Sequence, residues 1–278
     1  MDNLYDVAVI KKILARHGFS FSKSLGQNFI TDPSVCPRMA DECFTSPDGC
    51  VIEIGAGMGV LTKELALRFN KVASFEIDTS LIPVLAETLK GLDNVNVIND
   101  DILKTDLRSF IDSEFGDLPV SVCANLPYYI TSPIIMYLLE SRIPFENITV
   151  MIQKEAADRL CDRVGGKNSG AITAAVNYYA EPEKLFDVGK NSFMPPPKVD
   201  SSVIKLKVRK EPPVSVRDEK SFFRLIRASF CQRRKTAVNS ISAGLGIPKS
   251  TVSTALSELG FDAGIRAERF TLEDFSRL

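Results

Sequence analysis

Little in this chain could hold a metal. Its 278 residues include one histidine, His17, and six cysteines at 36, 43, 50, 123, 161 and 231, with no C-x-x-C pair among them. That spacing offers neither the paired thiolates nor the clustered imidazoles typical of a zinc site, so no metal is expected and the cysteines are expected to be free thiols. Long apolar runs are missing as well: none approaches the ~20 residues that a membrane-spanning helix requires. The opening segment MDNLYDVAVIKKILARHG carries Asp2 and Asp6 and nothing like a cleavage signal, and the chain is expected to stay in the cytoplasm, with no membrane partner. There is no internal repeat and no low-complexity segment.

Net charge is also nearly absent, at −1, but it is unevenly spread. Residues 201–278 hold fifteen Lys and Arg against eight Asp and Glu, whereas residues 1–200 hold nineteen against twenty-seven. In the basic end, Arg224, Arg227, Arg233, Arg234 and Lys235 fall within twelve residues that contain no acid. They lie on a stretch, FFRLIRASFCQRRKTAVNSI, whose apolar residues recur at helical spacing. A charge run is ordinarily a solvated face; its segregation here favours contact with nucleic-acid phosphates.

A hydrophobic content of 45% suffices for a sizeable core. Two domains are expected, residues 1–209 and 210–278. In the first, strand-like segments alternate with helical ones: VIEIG then LTKELALRF, KVASFEI then SLIPVLAETLK, VNVIND, VSVCANL then SPIIMYLLES, and ITVMIQ then KEAADRLCDR. This is the pattern of an open parallel α/β sheet. Residues 181–209 break it with two strand candidates, EKLFDVG and SSVIKLKV, around the turn-rich NSFMPPPKVD, which suits an antiparallel hairpin closing the sheet. EPPVSVRDEK reads as a linker, and from residue 219 the pattern is helical.

Two motifs carry the chemistry. In EIGAGMG, glycines at 55, 57 and 59 follow a strand and open a helix, so a ligand can approach the backbone there. The dinucleotide fingerprint wants a further glycine where this chain has Val60, which weakens a nicotinamide reading. About seventy residues on, an apolar strand ends in Asn125-Leu126-Pro127-Tyr128. The lone pair of an exocyclic adenine amine is delocalised into the ring, so the nitrogen is a poor nucleophile. If the Asn125 side-chain oxygen and the Leu126 carbonyl each accept one of its hydrogens, nitrogen is drawn towards tetrahedral geometry and its lone pair is aimed at a methyl donor. Pro127 stiffens the loop, and Tyr128 offers a flat face to a base withdrawn from its stack. Such a transfer is direct, with no covalent enzyme intermediate, and needs neither Cys123 nor any other cysteine.

Ligands of parallel sheets bind beyond the carboxyl ends of the strands, which locates the remaining candidates. Glu76 ends the second strand about twenty residues after the glycine loop, where a carboxylate can bind both ribose hydroxyls of a nucleoside. Asp100 and Asp101 end the third, and either could accept from an adenine amine, with Ile102 supplying apolar contact. Gly55 marks the closest approach of the cofactor to the backbone. In SLGQNFITD, Gln27 and Asn28 are amides suited to a cofactor's amino-acid end or to RNA, and Asp32-Pro33 reads as the cap and first turn of a helix. Phe193, before three prolines, reads as a second aromatic wall opposite Tyr128; Tyr129 reads as a packing residue. Lys12 and Lys23 read as solvated.

Seven blocks in order, SLGQNFITD, EIGAGMGVLT, FEID, NDDIL, NLPYYITSP, FMPPPKVDS and ASFCQRRKTAVNS, make the chain resemble the small-subunit rRNA adenine dimethyltransferases of bacteria over nearly its whole length. The resemblance implies an α/β fold, a Rossmann-like class I methyltransferase sheet with a smaller all-helical C-terminal domain that binds rRNA. It implies transfer of methyl groups from S-adenosyl-L-methionine to two adjacent adenosines near the 3′ end of 16S rRNA, two methyls on each. It selects Asp101 over Asp100, and it implies that Asn28, Ile30, Gly55, Glu76, Asp101 and Asn125 contact the cofactor. A monomer is expected. Two other readings stay open: a 23S rRNA adenine dimethyltransferase conferring macrolide resistance, which shares NLPY-like and SLGQNF-like blocks, and a ribosome-assembly factor whose pocket is vestigial.

Overall fold

The computed structural model describes residues 3–22, 25–232 and 234–278. The chain runs through α1 (Val7–Arg16), β1 (Phe29–Ile30), α2 (Val35–Cys43), β2 (Cys50–Ile54), α3 (Val60–Ala66), β3 (Lys71–Phe75), α4 (Ile82–Thr88) and β4 (Val95–Ile98). It continues through α5 (Leu107–Glu114), β5 (Val120–Asn125), α6 (Thr131–Glu140), β6 (Ile148–Gln153), α7 (Lys154–Leu160) and α8 (Ala171–Tyr179). Last come β7 (Ala180–Val188), β8 (Phe193–Met194), β9 (Ser201–Val208), α9 (Glu219–Phe230), α10 (Ala237–Leu245), α11 (Lys249–Glu258) and α12 (Leu272–Arg277).

A seven-stranded sheet has the order β4-β3-β2-β5-β6-β9-β7. The pairs from β4 to β6 are parallel, and β9 joins β6 antiparallel, as the 181–209 segment suggested. Strands β2, β5 and β6 read as apolar runs because helices cover both their faces; every residue of β2 is buried. Chain order reverses between β2 and β5, so a crevice opens above their carboxyl ends. A separate two-stranded ladder, β1 with β8, sets Ile30 opposite Phe193.

Local chemistry accounts for several helix starts. The Asp6 carboxylate accepts from the amides of Ala8 and Val9, Asp106 from Ser109, and Asp218 from Ser221, each filling donors that the first turn leaves free. The helix expected from Asp32-Pro33 begins two residues later. Asp32 accepts from the amide and hydroxyl of Ser34 instead, forming a turn ahead of Val35.

The chain divides into two compact units that interleave in sequence: residues 1–157 with 183–208, and residues 158–182 with 209–278. This differs from a single cut at 209. The reason is an aromatic cluster inside the second unit: Tyr178 and Tyr179 of α8 meet Phe222 and Phe223 of α9 with ring centroids 5.2–5.3 Å apart, and the Tyr179 hydroxyl donates to Glu219 at 2.8 Å. The last two residues of α8 thus hold it against α9. Within the same unit α10 crosses α9 closely. A Cβ on Gly244 would lie 2.6 Å from the Cβ and 2.7 Å from the Cα of Ala228. Gly244→Ala is expected to cost ~1–3 kcal/mol by forcing the helices apart, read as a lower denaturation midpoint of the helical unit; an unchanged midpoint contradicts that packing.

Candidate active site

The glycine loop joins β2 to α3 with Gly55, Gly57 and Gly59 at φ +83°, +56° and +78°. Their roles separate when a side chain is imagined on each. At Gly59 a Cβ would strike Leu89 of the α4 turn at 2.8 Å, so this glycine lets α3 pack. At Gly57 it would press on the Phe29 ring at 3.4 Å. At Gly55 the nearest atom would be the Asn125 carbonyl oxygen at 3.8 Å, leaving space for a ligand along the backbone. That space belongs to a cleft of about 1110 Å³, mouth included, whose walls come from the 25–30 segment and the carboxyl ends of β2, β3 and β5, together with residues 100–102.

Two acidic side chains are buried in its wall. Glu76, just past β3, accepts from the amides of Gly57 and Asp78, both at 2.9 Å, and so ties the glycine loop to the next turn. Burial pushes its carboxyl above the usual carboxylate range. Two acceptor directions of the carboxylate remain for a ligand hydroxyl pair. Glu53, inside β2, is fully buried. Its Oε2 accepts from the hydroxyls of Thr62 at 2.6 Å and Ser74 at 2.5 Å, while its Oε1 has no partner among the described residues. Desolvation raises this carboxyl to about 8, against the two hydroxyl donors that lower it. The signal in the sequence that could have singled it out is a carboxylate inside the apolar strand VIEI.

Asp100 and Asp101 both reach the cleft. Asp101 is half-buried and accepts from the Leu103 amide at 3.1 Å; Asp100 is exposed and accepts from the Asp101 amide at 2.8 Å.

After β5 the tetrapeptide is held from three sides. The Leu126 amide donates to the Met151 carbonyl at 3.1 Å, and the Pro127 carbonyl receives the Ile130 amide and the Thr131 hydroxyl. The Asn125 amide nitrogen donates to the Asn28 carbonyl at 3.3 Å. That leaves the Asn125 Oδ1 and the Leu126 carbonyl without donors among the described residues. The Tyr128 hydroxyl shares a hydrogen bond with Ser201 Oγ at 2.7 Å, and burial pushes its pKa up.

Opposite, the Asn28 side chain donates to the Gly26 carbonyl at 2.9 Å, leaving its own oxygen as an acceptor. The Gln27 nitrogen donates to Asp78 at 2.6 Å and its oxygen accepts from the Ser22 amide. Its amide therefore straps the 25–30 segment to the β3 side of the cleft while keeping a second N–H.

Asn28, Ile30, Gly55, Glu76, Asp101, Asn125, Leu126, Pro127 and Tyr128 thus come together around one cleft. Phe193 does not. It is 4% exposed, packs in the core that contains Ile30, Met39 and Val203, and is not part of the cleft wall. The β1–β8 ladder turns it inward. Tyr129, expected to pack, is 56% exposed at the cleft. Cys123 is buried in the core, with its thiol pushed up by burial, which fits a transfer without a cysteine nucleophile. Arg224 and Arg227 are exposed on the α9 face opposite Phe222, Phe223 and Ile226, and Arg234 and Lys235 are exposed beyond it; Arg233 and Lys23 lie outside the described residues. No group of His, Cys, Asp and Glu among the described residues could hold a metal, and no described helix is long and apolar enough to cross a membrane.

A cleft at the topological switch of this sheet, between the glycine loop and the Asn125–Tyr128 loop on the neighbouring strand, is the arrangement of a class I methyltransferase dependent on S-adenosylmethionine. The profile of the ribosomal RNA adenine dimethylase family matches residues 18–275. A "Ribosomal RNA small subunit methyltransferase A" of Geobacillus thermodenitrificans is 48% identical over 96% of this chain and 93% of its own. One of the same name from Streptococcus thermophilus is 45% identical over 98% of this chain and 96% of its own. The crystal structure of a dimethyladenosine transferase from Plasmodium falciparum superposes with TM-score 0.74 at 27% identity, over 90% of this chain and 95% of that one. That of the 23S rRNA methyltransferase ErmE superposes with 0.68 at 29%, over 90% and 97%. The chain belongs to the ribosomal RNA adenine dimethylase family.

Glu53 yields a test of the cleft's electrostatics. Its pKa is raised in the folded state, so the folded protein binds the extra proton and stability is lost as pH climbs from ~4.5 to about 8. Glu76 is shifted in the same direction. Glu53→Gln is expected to remove up to ~1.4 kcal/mol of stability change per pH unit in that window. Denaturant titrations at several pH values check it; identical slopes in both proteins contradict a buried neutral Glu53.

Proposed function

We propose that this enzyme dimethylates the N6 amines of two adjacent adenosines near the 3′ end of 16S rRNA, acting on the small ribosomal subunit or its precursor. It works as a monomer in the cytoplasm during subunit biogenesis. One observation carries the reading: with its amide nitrogen spent on the Asn28 carbonyl, Asn125 keeps Oδ1 as an acceptor beside the Leu126 carbonyl. Two neighbouring acceptors match the two hydrogens of an adenine amine. Accepting both draws the nitrogen towards tetrahedral geometry and localises its lone pair.

The residues fit S-adenosylmethionine: space is open along Gly55, and acceptors at Glu76, Asp101 and Asn28 have capacity to spare. When bound, the cofactor supplies an electrophilic methyl on its sulfonium. Gly55 lets its amino-acid part pass close to the backbone, and Asn28, Asn125 and the Ile30 backbone complete that end. Glu76 takes the ribose hydroxyls, and Asp101 accepts from the adenine amine. Tyr128 lies against the target base, its ring held by Ser201. Arg224, Arg227, Arg233, Arg234 and Lys235 meet RNA phosphates. In the second transfer a monomethylated amine donates only once, so one of the two acceptors falls idle.

Support for the small subunit comes from the relatives of that name at 48% and 45% identity, against 29% for ErmE. Mass spectrometry of nucleosides from unmodified small subunits and from 23S rRNA, each incubated with the protein and S-adenosylmethionine, tests it. Dimethyladenosine is expected in 16S rRNA alone; its appearance only in 23S rRNA overturns the reading, as does methylation of neither with RNA still bound.

Asn125→Ala is expected to slow methyl transfer by roughly 10²–10³-fold while calorimetry finds cofactor binding largely intact; full activity contradicts its role. Replacing Arg224, Arg227, Arg234 and Lys235 by glutamine is expected to weaken RNA binding and to flatten the plot of log K against log salt by ~0.7–0.9 for each phosphate no longer neutralised. An unchanged slope assigns them to a solvated face.

A further inference from the structure

Four aromatic side chains line the cleft: Phe29, Phe75, Tyr128 and Tyr129. The two phenylalanines are buried, and Tyr128 is half-buried and anchored through its hydroxyl to Ser201. Tyr129 differs from all three. It is 56% exposed, and its hydroxyl has no hydrogen-bond partner among the described residues. A tyrosine that served only to pack would bury its ring and satisfy its hydroxyl; this one does neither.

Its position is nevertheless fixed. Tyr129 is the middle residue of the short helical turn Tyr128–Ile130, which is closed by the Pro127 carbonyl accepting from Ile130 and Thr131. One edge of the ring lies against Gly26, where a Cβ would be 3.5 Å from Cδ1 and 3.7 Å from Cε1. Gly26 has φ +60°, a conformation that side chains rarely adopt, so bare backbone passes the ring there. The residue lines the cleft and stays 56% exposed. A flat apolar surface that is exposed, backed along one edge and short of rotatable bonds is a stacking platform for an unpaired nucleobase.

We propose that Tyr129 stacks on the RNA base that neighbours the target adenine, while Tyr128 lies against the target itself. The inference rests on the function proposed above. It gives the RNA site an aromatic surface, Tyr129, for a base other than the target. An extruded adenine leaves its neighbour with one face unstacked, and Tyr129 stands one residue from the group that receives the extruded base.

The test compares the wild type, Tyr129→Ala and Tyr129→Phe in two assays. The first follows methylation of unmodified small subunits; the second follows the fluorescence of a single-stranded RNA carrying 2-aminopurine beside the target adenosine, which is quenched on stacking. For Tyr129→Ala the KM for RNA is expected to rise roughly tenfold and the quenching to disappear, with the KM for S-adenosylmethionine unmoved. Tyr129→Phe, which keeps the ring, is expected to restore both. Wild-type KM and quenching in Tyr129→Ala overturn the proposal, and so does a phenylalanine variant as impaired as the alanine one. If the wild type fails to methylate small subunits, the function proposed above falls; the fluorescence comparison, which needs only binding, still decides whether Tyr129 stacks a base.

Discussion

Everything at the cleft depends on the parallel pairing of β2 with β5 in a single register. Ile54 sits opposite Ala124, so Gly55, the first residue past β2, and Asn125, the last residue of β5, come side by side. The glycine loop and the target loop are far apart in the chain and adjacent in space only because two strands run the same way. A parallel pair also sends its connecting helices over the sheet faces, which keeps the strand ends clear for a ligand. A slip of one residue would turn every side chain of the strand to the other face and put the two loops out of step.

Around that register the protein spends its polar groups sparingly. Glu76 holds the glycine loop to the turn after β3, Gln27 straps the 25–30 segment to Asp78, and Asn125 ties the same segment to the end of β5. Each tie fixes a wall of the cleft, and those made by Glu76 and Asn125 leave acceptors directed to a ligand. Glu53 is the exception, a buried carboxyl with an oxygen that no described residue meets. Its hydroxyl partners come from α3 and β3, so it also joins the helix that follows the glycine loop to the neighbouring strand.

Much of this is legible in the residues. The βα alternation, the antiparallel return of β9 and the meeting of Gly55, Glu76 and Asn125 follow from strand ends and loop chemistry, which are local; Asn28 and the choice of Asp101 over Asp100 come from the family resemblance. What escapes such a reading is long-range. Phe193 reads as a surface aromatic because prolines follow it; its burial is decided by a two-residue ladder with β1, which no periodicity reveals. Tyr129 reads as core because it sits beside Tyr128 in an apolar segment, yet the short helical turn sends neighbouring side chains in different directions. Helices α5 and α8 fall outside the strand–helix alternation read from the residues, and the reach of α8 into the helical unit depends on Tyr178 and Tyr179 finding Phe222 and Phe223 some forty residues later. The Gln27 amide is recognisable as polar and near the site, but not as the strap to Asp78.

The interleaving of the two units has a consequence for how the protein comes into being. Residues 158–182 leave the ribosome with Tyr178 and Tyr179 already in place, but the phenylalanines that bury them arrive only after the sheet's last strand has been made. The sheet can close around its crevice while the helical unit is still half a structure with unpaired aromatic surface. Every residue that lines the cleft precedes α9 in the chain, so the chemistry is written out before the basic helices are, and a chain that stops short of α9 lacks the partners of Tyr178 and Tyr179.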